Sequence, residues 1–435
     1  MAGAACVAEL AGNGIDVTLV DRHDYTQFQP LLYQVASSQL PAEDIARPLA
    51  TMFRDRARVT LVTGEEVSAI DVDAKTVTTD AGTIGPADHL VIAAGSQANF
   101  FGVTGAAEHA FPLYTVRDAD RLRSHLRDRL RELGTPGSVG ALTVVVSGGG
   151  PTGVEIAGAL AELFRALRDE GKLVGSATVR LVDPGHALLA PFSDRSHRYA
   201  LERLTEMGVE VTFGVAVASV DAGSATLSDG STVESDTVIW ACGISGASLV
   251  ALTGIAPGHG GRIDVAADLT VPGHPDVFAI GDVANVPDPA GGILPQLGSV
   301  AQQSGKWAGR NIRALRDGTE PTPFHYHDKG IMAMVGRNAA VAEVGPHRHQ
   351  LEGPLAFAAW LGLHGVLLSG FHDRTDAVLN WADDYIHHAR APELELEDSV
   401  GRIAWSDDAA DRPTLGSGDP DQQSLTSSDS SMKGP

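Results

Sequence analysis

The stretch Leu142–Phe164 reads LTVVVSGGGPTGVEIAGALAELF. Gly148, Gly150 and Gly153 stand in it with the spacing Gly-x-Gly-x-x-Gly, between a run of β-branched residues and a helical pattern. Strand, glycine turn and helix N-terminus together make a cradle for a pyrophosphate. The first glycine permits the turn, the second lets backbone approach phosphate, and the third lets helix and strand pack closely. A purely structural turn is the alternative, and the flanking elements argue against it. The acid expected at the end of the next strand, where it accepts bonds from ribose hydroxyls, is Asp183. It lies farther downstream than usual because Gly171–Ser176 lengthens the connection. An acid at this point favours a nicotinamide dinucleotide without a 2′-phosphate.

A second cradle is partly written at the N-terminus, MAGAACVAELAGNGIDVTLVDRHDY. Ala4–Leu10 has helical spacing, and Asp16–Val20 reads as a buried strand. Gly3 stands where the third glycine of a cradle belongs, and Asp21, 18 residues later, where the ribose acid belongs. A first strand and two glycines are expected before them, so the sequence reads as truncated, with the central strand of the first sheet missing. An unrelated N-terminal helix is the alternative.

These residues need parallel sheets to position them, and the pattern supplies such sheets. Strand-like runs at Val59–Val62, Val67–Ile70, Val77–Thr79, Asp88–Ser96, Ala177–Asp183, Val209–Phe213, Thr237–Gly243 and Val277–Asp282 alternate with helical patterns at Arg117–Leu133 and Tyr199–Met207. Alternation of this kind predicts an α/β protein with doubly wound sheets. LVIAAG (Leu90–Gly95) and VIWACG (Val238–Gly243) echo each other, as do the elements before them. Two Rossmann-like dinucleotide-binding domains would produce that weak repeat.

The chain has 435 residues, enough for two or three domains, and 43% of them are hydrophobic. Its formal net charge of −23 argues against nucleic acid as a partner, because phosphate backbones need a basic surface. Part of the imbalance belongs to the end of the chain, where ten acids face three bases from Glu393 onward. That segment is Ser-, Asp-, Gly- and Pro-rich and is expected to be disordered. The two cysteines, Cys6 and Cys242, form neither a disulfide framework nor a metal-ligand set, and this points to a reducing, intracellular compartment. Cys242, in an apolar run, is expected to be a small core residue. The histidine pairs at 325 and 327, 347 and 349, and 387 and 388 are expected to be exposed, and no metal site is expected.

In order along the chain stand FQPLLYQVA (Phe28–Ala36), LVIAAGSQANFFGVTG (Leu90–Gly105), GGGPTGVEIAG (Gly148–Gly158), VIWACG (Val238–Gly243), VFAIGDVA (Val277–Ala284) and LPQLGSVAQQSGKWAGRNI (Leu294–Ile312). This ordered set, from Met1 to about Arg390, resembles the type II NADH:quinone oxidoreductases. The resemblance implies a flavoprotein with an FAD-binding domain at 1–112 and 264–325, an inserted NADH-binding domain at 113–263, a helical membrane-association or dimer region at 326–391 and an acidic tail at 392–435. It implies hydride transfer from NADH to FAD and electron transfer on to a quinone, on the inner, cytoplasmic face of the cell membrane. Matched motif by motif, Gly3, Asp21 and Arg22 fall on the FAD loop and ribose, Ala94 and Gly95 on the adenine side, and Gly281 and Asp282 at the ribityl chain. Gln29, Pro30 and Leu31, with the segment on to Tyr33, fall near the isoalloxazine ring. Gly148, Gly150, Gly153, Asp183 and Gly243 fall on NADH, with Glu155 beside the nicotinamide. Glu155 and Gln303 are the catalytic candidates.

Two features complicate the resemblance. The helix that borders the quinone reads Gly298-Ser299-Val300-Ala301-Gln302-Gln303 where the family has Ala-Gln-x-Ala-x-Gln, so Gln303 matches and the first pair does not. This keeps a non-quinone acceptor open as an alternative, alongside a truncated chain with impaired FAD binding and no turnover. Gly353–Phe371 has no Asp, Glu, Lys or Arg over 19 residues, and Trp360 and Trp381 suit an interface. A surface anchor is the favoured reading over a core or dimer helix and over a true span, because Pro354, four glycines and His364 weaken a spanning helix. Relatives that run on paired redox cysteines, sulfide:quinone and disulfide reductases, are excluded by Cys6 and Cys242.

Overall fold

The computed structural model describes residues 1–135, 140–345 and 347–367. The acidic tail at 392–435, Trp381, and His387 and His388 lie outside the described residues.

Helix α1 (Ala2–Ala11) and strand β1 (Val17–Asp21) form as the sequence predicts. β1 pairs in parallel with β2 (Val59–Thr63), Val17 against Val59 through Asp21 against Thr63. An antiparallel meander follows, Val67–Asp71, Thr76–Thr79 and Gly82–Ile84. Strand β3 (Leu90–Ile92) then pairs in parallel with a strand far along the chain, His274–Ala279. Among the described strands none hydrogen-bonds to both β1 and β3.

Helix α2 (Val116–Gly134) starts where Thr115 caps it, its side chain accepting from the Asp118 amide while Asp118 reaches back to the Thr115 amide. Leu122, Leu126, Leu130 and Leu133 recur at helical spacing and are buried, and Arg and Asp residues take the outer face. Strand β4 (Ala141–Ser147), helix α3 (Pro151–Asp169), strand β5 (Ser176–Asp183), helix α4 (Asp194–Glu206) and strands β6 (Glu210–Phe213) and β7 (Thr237–Trp240) complete the second half. Its sheet is parallel and five-stranded, in the order Ala110–Pro112, β7, β4, β5, β6. Val144, Val145 and Val146 at its centre are fully buried, as expected of a strand covered on both faces. A second meander, Val217–Asp221, Ser224–Leu227 and Thr232–Glu234, repeats the one in the first half.

Strand β8 (His274–Ala279) and helix α5 (Gly298–Arg316) return the chain to the first half. Phe278, Ile280 and Val283 form its core with Cys6 and Leu10 of α1 and Ala308 and Ile312 of α5. Arg313 of α5 bonds Glu9 of α1 at 2.8 Å. Strands β9 (Gly330–Gly336), β10 (Ala339–Val344) and β11 (His349–Glu352) make an antiparallel sheet in that order, followed by helix α6 (Gly353–Leu367). Among the described residues no helix is long and apolar enough to cross a membrane.

Two elements differ from expectation. α4 begins at Asp194, not near Tyr199. Its opening turn is polar and lacks the periodic apolar signal. A carboxylate from another part of the chain satisfies its N-terminus: Glu343 accepts from the Ser193 amide at 2.7 Å and from Ser196 Oγ at 2.9 Å. Ala110–Pro112, assigned by sequence to the first domain, pairs with β7 and so belongs to the second sheet.

Candidate functional site

The glycine loop after β4 is shaped by contacts that leave no room for side chains. An ideal Cβ on Gly153 would lie 1.8 Å from the Gly148 carbonyl oxygen, so only glycine lets α3 start this close to β4. Gly148 itself has φ of 109°, a conformation glycine adopts at little cost. Pro151 opens α3, where its missing N–H costs nothing. Asp183, at the end of β5, accepts from the Gly149 amide at 2.6 Å and from the Gly185 amide at 2.7 Å. The acid that the sequence marks for a ribose therefore also locks the loop.

Beside this loop runs a cleft of about 1760 Å³. From the first half it is lined by Gly3, Asp21, Arg22, Gln29, Pro30 and Tyr33, and by Ala94, Gly95 and Asp282. Glu155, Trp240 and Gly243 line it from the second half, and Met332 from the β9 sheet. Gly148, Gly150, Gly153 and Asp183 do not line the cleft; it reaches this loop only at Pro151 and Thr152, and Leu31 and Gly281 are buried next to lining residues. Gln303 stands apart. Its side-chain amide donates to the His327 carbonyl at 3.0 Å and accepts from the His327 amide at 2.9 Å, away from the cleft. Ser299, the altered position beside it, is hydrogen-bonded to the Tyr326 hydroxyl at 2.8 Å.

Charge in the cleft is set by burial. Burial pushes the Glu155 carboxyl up to about 8, against the opposing effect of the Met334 amide, which donates to Oε1 at 3.2 Å. Tyr33 is held well above its ordinary value, by burial first and by the Glu155 charge second. Asp282 is raised by burial, with a bond from Ser96 acting the other way. Cys242 is half-buried and packs at the margin of the second-half core, its thiol 2.8 Å from Ser147 Oγ beside the glycine loop. Burial pushes that thiol up to about 11 and the Cys6 thiol up to about 12, so both stay protonated at neutral pH. No group of metal-ligating side chains occurs among the described residues. His325, His327, His347 and His349 are exposed.

Sequence reasoning missed Ser96, Tyr114, Trp240 and Met332. Ser96 directly follows the AAG turn, and Tyr114 sits where the chain crosses into the second half. Neither position carries a spacing signal, since their partners are distant in sequence.

The geometry agrees with three comparisons. The pyridine nucleotide-disulphide oxidoreductase family model matches residues 1–305. The type II NADH:quinone oxidoreductase NdhA of Mycobacterium tuberculosis is 36% identical over 401 residues, covering 86% of this chain and 83% of that protein. The type II NADH:quinone oxidoreductase of Staphylococcus haemolyticus is 29% identical over 345 residues, 77% of this chain and 84% of that one. Among solved structures, NDH2 from Plasmodium falciparum in complex with NADH superposes with a TM-score of 0.79 at 17% identity, over 89% of this chain and 96% of that chain. The sulfide:quinone oxidoreductase from Aquifex aeolicus superposes with a TM-score of 0.69 at 20% identity, over 84% and 88%. With two echoing halves, a glycine loop locked by its own acid and no thiolate pair in the cleft, this chain belongs to the type II NADH:quinone oxidoreductases of the pyridine nucleotide-disulphide oxidoreductase family.

Proposed function

We propose that this chain oxidises NADH and reduces a quinone through an FAD held in the cleft, with NADH entering from the β4–α3 loop. One observation carries the reading: Glu155, on α3 just past the glycine loop, shares a single cleft with Gln29, Pro30 and Asp282 of the first half. Two dinucleotides lying end to end would meet at that point.

The residues fit both groups. The room denied to a Cβ at Gly153 and the acid at Asp183 suit a nicotinamide dinucleotide, and the half-buried carboxylate of Asp282 and the acid of Asp21 suit the hydroxyls of a flavin dinucleotide. When bound, FAD supplies the exchange between two-electron hydride chemistry and a quinone acceptor. The protein then has to orient and exclude water. Gln29 and Pro30 would border the flavin ring, Asp282 would hold the ribityl hydroxyls, Gly3 would approach the pyrophosphate, Asp21 and Arg22 the ribose, and Ala94 and Gly95 the adenine side. Quinone reduction by NADH takes up one proton from solvent per turnover, and Glu155 Oε2, on a carboxyl balanced near neutrality, is the group in the cleft suited to hold that proton.

Trp360, expected at an interface, is instead buried against His364, but the apolar outer face of α6 supports attachment to a membrane surface. Pro354, Leu355, Ala358, Gly362 and Leu363 are exposed on it, Leu355 by 73%, with no charged side chain among them. Purified protein reconstituted with FAD tests the whole reading. Bleaching of the flavin band by NADH and reoxidation by a quinone are the expected results; no bleaching, or reoxidation by every acceptor except quinones, overturns it.

A further inference from the structure

Three cleft side chains form one directed chain of hydrogen bonds. Ser96 Oγ donates to Asp282 Oδ2 at 3.3 Å. That uses the one hydroxyl hydrogen Ser96 has, so in the short contact between the Ser96 and Tyr114 hydroxyls Tyr114 is the donor. The Tyr114 oxygen accepts from the Ser96 backbone amide at 3.2 Å, and the Gln29 side chain borders the same cleft beside it. The donor direction runs from Tyr114 through Ser96 to Asp282.

The backbone of Tyr114 is held just as firmly. Its carbonyl accepts from Gln27 Nε2 at 3.1 Å, and its amide donates to Asp118 Oδ2, the same carboxylate that caps α2. Gln27 closes the loop by accepting from the Val116 amide at 2.9 Å. Three segments remote in sequence, Gln27–Gln29, Ser96 and Asp282, are thereby fixed to the first turn of α2.

We propose that Ser96 and Tyr114 are positioning residues for the flavin side of the cleft, their hydroxyls fixing the orientation of Asp282 toward bound FAD. The proposal rests on the assignment of Asp282 to FAD given above. Ser96 is buried, so losing its hydroxyl strands a Tyr114 donor and an Asp282 acceptor in a site with little water to replace them. An Asp282 carboxylate without that bond is free to turn about its side-chain torsions, and a ligand must then supply the ordering.

The test uses the full chain and its Ser96→Ala, Ser96→Thr, Tyr114→Phe and Asp282→Asn variants, with FAD affinity and the flavin visible spectrum as readouts. Cofactor-free thermal melts report folding separately. Ser96→Ala and Tyr114→Phe are expected to weaken FAD binding by about ten- to hundredfold and to shift the flavin band. Ser96→Thr keeps the hydroxyl and should restore both, and adding Ser96→Ala to Asp282→Asn should cost little more than Asp282→Asn alone. Should Ser96→Ala fail to fold, Tyr114→Phe and Ser96→Thr decide. Normal FAD affinity and spectrum in Ser96→Ala and Tyr114→Phe, with Asp282→Asn impaired, overturn this proposal alone. A harmless Asp282→Asn, or an unaltered chain that takes up no FAD, overturns the functional assignment and this proposal with it.

Discussion

The Met334 amide donates to Glu155 Oε1 at 3.2 Å, joining α3 to β9 across 179 residues of sequence. Two turns farther along the same helix face, Glu162 Oε1 accepts from the Arg337 amide at 2.5 Å. The helix that follows the glycine loop is thus stapled to the C-terminal sheet by two carboxylates, and one of them lines the cleft.

Glu155 gives stability a pH dependence with a definite sign. Its carboxyl is at about 8 in the folded chain against an ordinary 4.5. Between those values the folded chain keeps a proton that the unfolded chain releases, so stability falls as pH rises through that window and levels off above 8. Glu155→Gln keeps an acceptor for Met334 and removes the titration. Chemical denaturation should find the variant more stable than the parent at pH 8.5, by about 1–3 kcal/mol because cleft water screens the charge, and equal to it at pH 4. An unchanged pH slope would sink the argument. In turnover the same variant should lose the limb of the pH profile near 8.

Gly150 and Gly153 should separate ligand approach from folding. A Cβ on Gly150 meets nothing within 4 Å, whereas one on Gly153 strikes the Gly148 carbonyl. Gly150→Ala should therefore melt like the parent yet, on the proposed NADH assignment, bind NADH about tenfold more weakly, because the added methyl would stand where phosphate is proposed to approach. Gly153→Ala should lose about 1–3 kcal/mol of stability as well as binding. Equal melting losses in the two would refute this division.

Asp183→Ala removes two backbone bonds from the loop and the acid from the ribose position. The expected outcome is a loss of about 1–3 kcal/mol in stability and a fall in the ratio of kcat/KM for NADH over NADPH. Steady-state kinetics with both nucleotides check it, and a ratio that does not move assigns Asp183 to the loop alone.

The outer face of α6 predicts how the protein meets lipid. Leu355→Asp with Leu363→Asp should abolish co-sedimentation with phospholipid vesicles while NADH still bleaches the flavin in solution. Binding by the parent should persist at high salt, since the face carries no charge to screen. Vesicle binding that survives the double substitution would place the contact elsewhere.

Much of the fold was legible in the sequence because parallel sheets write themselves as apolar runs with glycine turns. β4, β5 and the loop at Gly148 lie where that pattern put them. The start of α4 was not legible, since its N-terminus is satisfied by Glu343, 150 residues away. For the same reason Ser96 and Tyr114 passed unnoticed: a serine and a tyrosine acquire meaning here only from Asp282. Gln303 shows the converse, a motif match whose surroundings the sequence does not reveal. Its motif position matched, but its amide is taken by the His327 backbone, outside the cleft.

The double staple on β9 also bears on self-association. An edge strand with open amides is a template for another chain. Here α3 lies against β9 so closely that a Cβ on Gly158 would come within 2.2 Å of the Val335 carbonyl, and the amides of Met334 and Arg337 are already taken. Among the described residues, the margin of this sheet left for a foreign strand is β11, at His349–Glu352, and aggregation of heated, destabilised protein should begin there.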